Sequence, residues 1–215
     1  MNHDFQRFLA FVGATICLVL VGGVLGKRLL FEAAGPDGAI ITHLKELERD
    51  GLSISTDAGT LLGSTLQYQR ISVTLDAAGT RATVTSTLDF TGQLRRADAD
   101  FTRVSSLGLE RATYVLDGTE WTPETNDAPR LVAIVKALDA RRVALDTGDT
   151  LAGIAQRRWQ SQSWFIRSER EEVEVAEDYR LTGTTPERPV DEKATRRLSL
   201  QEDGDGGFSF PGGLM

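Results

Sequence analysis

Apolar and polar residues change their spacing several times along the chain, and each change predicts an element. Residues 8–26 read FLAFVGATICLVLVGGVLG without a charge, about the 20 residues that cross a bilayer as one helix. Lys27 and Arg28 end that run, and a Gly35-Pro36-Asp37-Gly38 break follows. Over 39–51, Ile40, Ile41, Leu44 and Leu47 then fall on one face of a helix. A short helical turn is predicted at 60–64. From Ile71 the period becomes two: Ile71, Val73 and Leu75 alternate with Ser72, Thr74 and Asp76, and Ala82, Val84, Leu88 and Phe90 share a face of the next strand. A long strand over 102–116 reaches Asp117-Gly118, which turns the chain into Trp121.

The second half repeats this order. Leu131, Val132, Val135 and Leu138 reproduce the spacing of Ile40, Ile41, Leu44 and Leu47 at an offset of 91, which is 131 minus 40. The same offset brings Lys45 onto Lys136, Gln69 onto Gln160, Val84 onto Val175 and Thr91-Gly92 onto Thr182-Gly183. A helix to about Leu145, a Thr147-Gly148-Asp149 cap and a short helix through Leu151 and Ile154 are predicted. Strands near 163–168, 173–182 and 194–201 follow, with a Gly-rich turn into Phe208 and Phe210. The expected fold class is α+β: an N-terminal segment with its transmembrane helix (1–31), a linker (32–38), and two repeats (39–125 and 126–215). In each repeat, helices pack on a curved antiparallel sheet.

Charge and composition narrow the functions. A formal net charge of -7 over 215 residues argues against nucleic acid, whose partners carry a clustered basic face. The single cysteine, Cys17, lies within the apolar run, so neither a disulfide framework nor a cysteine metal site can form within one chain. His43 is expected to be an exposed helix residue, and Asp203-Gly204-Asp205-Gly206-Gly207 lacks the ligand spacing of a calcium loop and reads as a tight turn. No nucleophile elbow, zinc spacing or phosphate-binding glycine loop occurs. Asp89 and Asp178 are the strand-borne acids, and Asp89 is expected to point away from the helices. The aromatic group Trp159, Trp164 and Phe165 is the candidate partner-binding patch.

The runs ALDARRVALDTGDTLAGIA, EVEVAEDYRLTG and RRLSLQEDGDGGF, with ATVTSTLDFTG and LGLERATYVLDGTEW in the first half, resemble the nuclear-transport-factor-2-like (cystatin-like) superfamily. The resemblance implies a cupped sheet that serves as a small-molecule pocket or as a protein-binding surface.

The reading that follows is a single-pass protein of the cytoplasmic membrane. It would enter the bilayer through residues 8–26, expose its remaining chain on the periplasmic or extracytoplasmic side, and bind other proteins of an envelope assembly as an accessory or scaffold subunit. It is read as a non-enzyme without catalytic, metal or cofactor-binding residues. The alternative is an anchored small-molecule-binding protein, or an isomerase- or dehydratase-like enzyme, that uses the cup of one repeat.

Overall fold

The computed structural model describes residues 35–97, 100–147 and 153–211. The expected membrane helix over 8–26, the Gly148-Asp149 cap and Leu151 of the second short helix lie outside the described residues. Among those that are described, no helix is long and apolar enough to cross a membrane. Contacts divide the chain into two units, Met1–Thr42 and His43–Met215. In the first, the described residues are helical, and Thr42 Oγ1 donates to the Gly38 carbonyl one turn earlier at 2.8 Å.

Helix α1 spans Gly35–Asp50 and crosses that boundary. The expected Gly-Pro break is therefore the helix start: Pro36 sits in the first turn, where no N–H is needed and its fixed φ suits the helix. The second unit continues with β1 (Ser53–Thr56), β2 (Gly59–Leu75), β3 (Arg81–Arg95), β4 (Phe101–Asp117), β5 (Glu120–Pro123), α2 (Pro129–Thr147), β6 (Ala155–Glu169), β7 (Glu172–Thr184), β8 (Pro189–Glu202) and β9 (Phe208–Ser209). The helical turn expected at 60–64 is instead the start of β2. Thr56 pairs with Gly59 across a tight turn, Thr56 Oγ1 donates to the Gly59 carbonyl at 2.9 Å, and Leu61 then pairs with Ile54 on one side and Leu94 on the other. Two flanking strands satisfy backbone groups that an isolated helical turn would leave open.

Among the described residues, the nine strands join one sheet in the order β1-β2-β3-β4-β6-β7-β8-β9, with β5 beside the end of β4. Every pairing is antiparallel except β4 with β6, which run parallel from Arg103↔Ser163 to Gly108↔Ser168. That one parallel seam fuses the two meanders, and α2 supplies the crossover that a parallel connection needs. Bulges at Gly63/Thr65, Gln69/Ser72, Ala155/Arg158 and Ser161/Ser163 curl the sheet. The last also re-aims β6: Trp159 and Ser161 are buried before it, and Trp164, Ile166 and Ser168 after it.

Within the second unit, α2 and the His43–Asp50 part of α1 cover one face of the sheet, and the core lies there. Leu66, Tyr68, Val84, Leu88, Phe90 and Tyr114 are buried in the first meander, and Trp164, Ile166, Val173, Val175 and Leu200 in the second. The α2 residues Leu131, Val132, Val135 and Leu138, placed on one face by their spacing, are all buried. At the seam, Gly108 has φ +152° and lies so close to β6 that a Cβ there would be 2.1 Å from the Ser168 carbonyl oxygen. Gly108→Ala should therefore lower stability by about 2 kcal/mol or more. Gly204→Ala, where a Cβ meets nothing within 4 Å, should leave the urea midpoint nearly unchanged. Equal midpoints for the two variants would show that the seam is not tight.

Candidate functional site

On the helix side of the first meander, polar groups converge. Tyr68 of β2 and Tyr114 of β4 are buried, as their alternation with neighbours requires. His43, expected to be exposed, is half-buried: its Nδ1 lies 2.9 Å from the Tyr114 hydroxyl, its ring meets the Tyr114 ring edge-on, and its Nε2 is 3.9 Å from Asp127. Burial raises both tyrosine hydroxyls well above the usual value, with Glu110 adding to the effect at Tyr68. Glu110 itself is buried to 3% exposure on β4. Its oxygens accept from the backbone N–H groups of Arg130 (2.8 Å), Leu131 (3.0 Å) and Arg111 (3.2 Å), so a carboxyl from a strand caps the first turn of α2. Burial pushes it up to about 7, against the lowering effect of the three N–H donors and Arg130. The cavity that Glu110, Tyr68 and Tyr114 line has about 10 Å³, the space of one water.

The rest of α2 lies on the sheet through ionic contacts. Arg130 donates to Ser168 Oγ at 2.9 Å, to Glu202 and to the Arg170 carbonyl. Asp139 accepts from Arg96 and Arg142, both at 2.8 Å, and Arg96 also donates to Thr102 Oγ1, which in turn donates to the Ser161 carbonyl. Glu177 of β7 is buried. It accepts from Arg196 at 2.6 Å, from the Trp164 indole N–H at 3.3 Å and from Ser161, and Arg141 of α2 stands 3.7 Å away. Burial, with Arg196 beside it, pushes Arg141 down to about 10. These interactions fill the helix side with side chains, although the Tyr68 hydroxyl, the Trp159 indole N–H and the Arg141 Nε are buried there without a hydrogen-bond partner among the described residues.

The helix-free face differs. Across β3, β4, β6, β7 and β8 it forms an open trough of about 660 Å³. Two registers of outward residues line it. One runs Asp89, Leu107, Arg167, Glu174 and Ser199, and the other Thr91, Ser105, Phe165, Ala176 and Arg197. Leu107 is 52% exposed and Phe165 54%, an apolar centre on a face otherwise made of threonine, serine, charge and the small Ala176. Phe101, also exposed, continues that face of β4. Asp178 lies further along it, accepting from Thr195 at 2.6 Å and Ser163 at 2.7 Å, and those hydroxyls hold its carboxyl below the usual range. Among the described residues, no group of three or more His, Cys, Asp or Glu is placed to hold a metal ion.

The three aromatic residues singled out from sequence do not form one patch. Trp159 stacks on Tyr179 at 4.1 Å under the Arg196 guanidinium, and Trp164 is 1% exposed near Arg96. Phe165, next in sequence to Trp164, points to the opposite face and lines the trough. A partner can reach only Phe165 of the three. Asp89 does point away from the helices, and the Asp203 loop is a turn in which Asp203 accepts the Gly207 and Asp205 N–H groups. Glu110, Glu177 and the buried charges of α2 went unpredicted from sequence. Period two was the available signal: Glu110 shares the parity of Val104, Ser106 and Tyr114, and Glu177 that of Val173 and Val175.

No family model and no curated protein matches the chain. Among solved structures it is similar to an "Ntf2 like protein involved in plasmid conjugation", with 9% sequence identity and a TM-score of 0.27, over 74% of this chain and 76% of that chain.

The raised Glu110 carboxyl makes stability depend on pH. Folding binds its proton more tightly than the unfolded chain does, so this contribution is full below about pH 4.5 and is lost as pH rises to about 7. Relative to Glu110→Gln, the native protein should lose up to about 3 kcal/mol of unfolding free energy across that window. Denaturant titrations of both proteins at pH 4.5, 6 and 8 check this, and parallel profiles would refute it.

Proposed function

We propose that this chain is an accessory or scaffold subunit of a membrane or envelope assembly that binds another protein through the helix-free face of its sheet. Leu107 and Phe165, more than half exposed at the centre of a concave trough, carry the reading. Large apolar side chains at the floor of a recess are the anchors around which protein interfaces form. The rival reading, a ligand pocket or enzyme in the cup of one half, would use Glu110, Tyr68, Tyr114 and His43. The cavity there has room for one water, and the Glu110 oxygens are already engaged by the start of α2.

Membrane attachment rests on the charge-free run over 8–26, which would anchor the protein in the cytoplasmic membrane and expose the sheet on the extracytoplasmic side. We further read the two halves as tandem cystatin-like repeats built into one sheet. Three correspondences support that duplication. Gly92 and Gly183, 91 apart, each lie where a Cβ would have no room: it would strike Leu62 of β2 in the first half and Ile154, just before β6, in the second. Tyr68 and Trp159, also 91 apart, each donate a backbone N–H to a carboxylate near the end of the preceding helix, Glu48 at 2.6 Å and Asp146 at 2.8 Å. Each of these aromatic residues also precedes a bulge.

Leu107→Asp and Phe165→Asp should keep the thermal midpoint within a few degrees, because both side chains are exposed. In mild detergent they should shift the full-length protein from a larger complex to a lone species. Trp164→Ala, which empties a buried site, should instead cost about 3–5 kcal/mol of stability. Persistence of the complex in both aspartate variants would overturn the proposal.

A further inference from the structure

The open face also carries information about the shape of its occupant. We infer that the trough seats an amphipathic α-helix of a partner protein, lying across the strands with a basic end over Asp89 and an acidic end over Arg197. This rests on the protein-binding reading above and names what is bound.

The trough runs perpendicular to the strands, since its floor takes three consecutive residues from each of five neighbours, β3, β4, β6, β7 and β8. Four strand spacings of about 4.8 Å make it about 19 Å long. That is about 13 residues of α-helix at about 1.5 Å per residue, an ordinary helix length. Four of the five floor strands are paired on both flanks, so the floor offers few free backbone groups. An extended segment crossing it would lay its own N–H and C=O groups over Leu107 and Phe165 without partners, a cost of about 1–3 kcal/mol for each group left unpaired. A helix satisfies those groups internally and presents a convex apolar ridge, the shape a concave floor takes. A second copy of this face is itself concave and leaves the centre unfilled.

Charge fixes the polarity. Asp89 stands on β3 at one end and Arg197 on β8 at the other, and neither has a hydrogen-bonding or ion-pair partner among the described residues. Arg167 and Glu174 face each other across β6 and β7 between them, equally uncommitted. The basic end of a bound helix therefore belongs over β3 and its acidic end over β8, with apolar residues at i and i+3 or i+4 over Leu107 and Phe165.

The test places a photoreactive benzoylphenylalanine at position 165 of the full-length protein in the cells that make it, with the same probe at position 120, on β5 outside the trough, as control. The crosslinked segment is identified by mass spectrometry. The expected product, absent from the control, is a segment of another protein with helically spaced apolar residues between a basic and an acidic end. A synthetic peptide of that segment should bind the detergent-solubilised chain, and Asp89→Lys and Arg197→Glu, in variants that melt as the native protein does, should each weaken binding at least about tenfold. A peptide with its end charges exchanged should restore binding to the double variant. Crosslinking to a segment of another protein without that pattern, or charge variants that bind normally, overturns the helix while leaving the protein-binding reading in place. Crosslinking only to residues 1–34 of the same chain, to a second copy, to lipid or to nothing overturns both.

Discussion

The arrangement depends on burying α2 with its charges matched. Arg130, Asp139 and Arg141 are each less than a tenth exposed, yet α2 lies across the seam between the two meanders, where it cannot turn them to water. Each meets a counter-group held by the sheet: Glu202 and Ser168 for Arg130, Arg96 for Asp139, Glu177 for Arg141. Breaking one such buried pair typically costs about 3–5 kcal/mol, because it leaves a charge stranded. Shifting α2 along the sheet would separate all three pairs at once, so their cost falls on any other register of the helix.

That register ties the seam to both halves. Glu110 on β4 caps the first turn of α2, Ser168 on β6 holds Arg130, and Thr102 donates across the parallel pairing to the Ser161 carbonyl. A parallel pair needs a crossover element to hold it, and here the crossover is bonded by side chains to both strands it connects. The nine strands consequently behave as one sheet.

The helix side is filled, and the open recess lies on the other face. In a cupped α+β layer, the space between helix and sheet can hold a ligand. Here it holds Trp159, Trp164, Tyr68, Tyr114 and the ionic groups of α2, with a residual cavity of about 10 Å³ beside Glu110. The sheet's other face keeps two large apolar side chains in a recess of about 660 Å³, which is why the proposed binding surface lies there.

Much of this was legible along the chain. The 3.6-residue spacing of Leu131, Val132, Val135 and Leu138 determined α2 and its buried face. Alternation determined β3, the burial of Val84 and Phe90, and the outward aim of Asp89, because side-chain direction in a regular element follows from its period alone. Three things were decided only by tertiary structure. Residues 60–64 became strand because β1 and β3 flank them. The bulge at Ser161/Ser163 reversed the parity of β6, which set Trp164 inward with Trp159 and left Phe165 on the open face. Glu110, Glu177 and Arg130 look like solvated charges in sequence and are buried in the fold, because a charge enters a core only where a distant partner meets it, and neither period nor composition records which distant residues will meet.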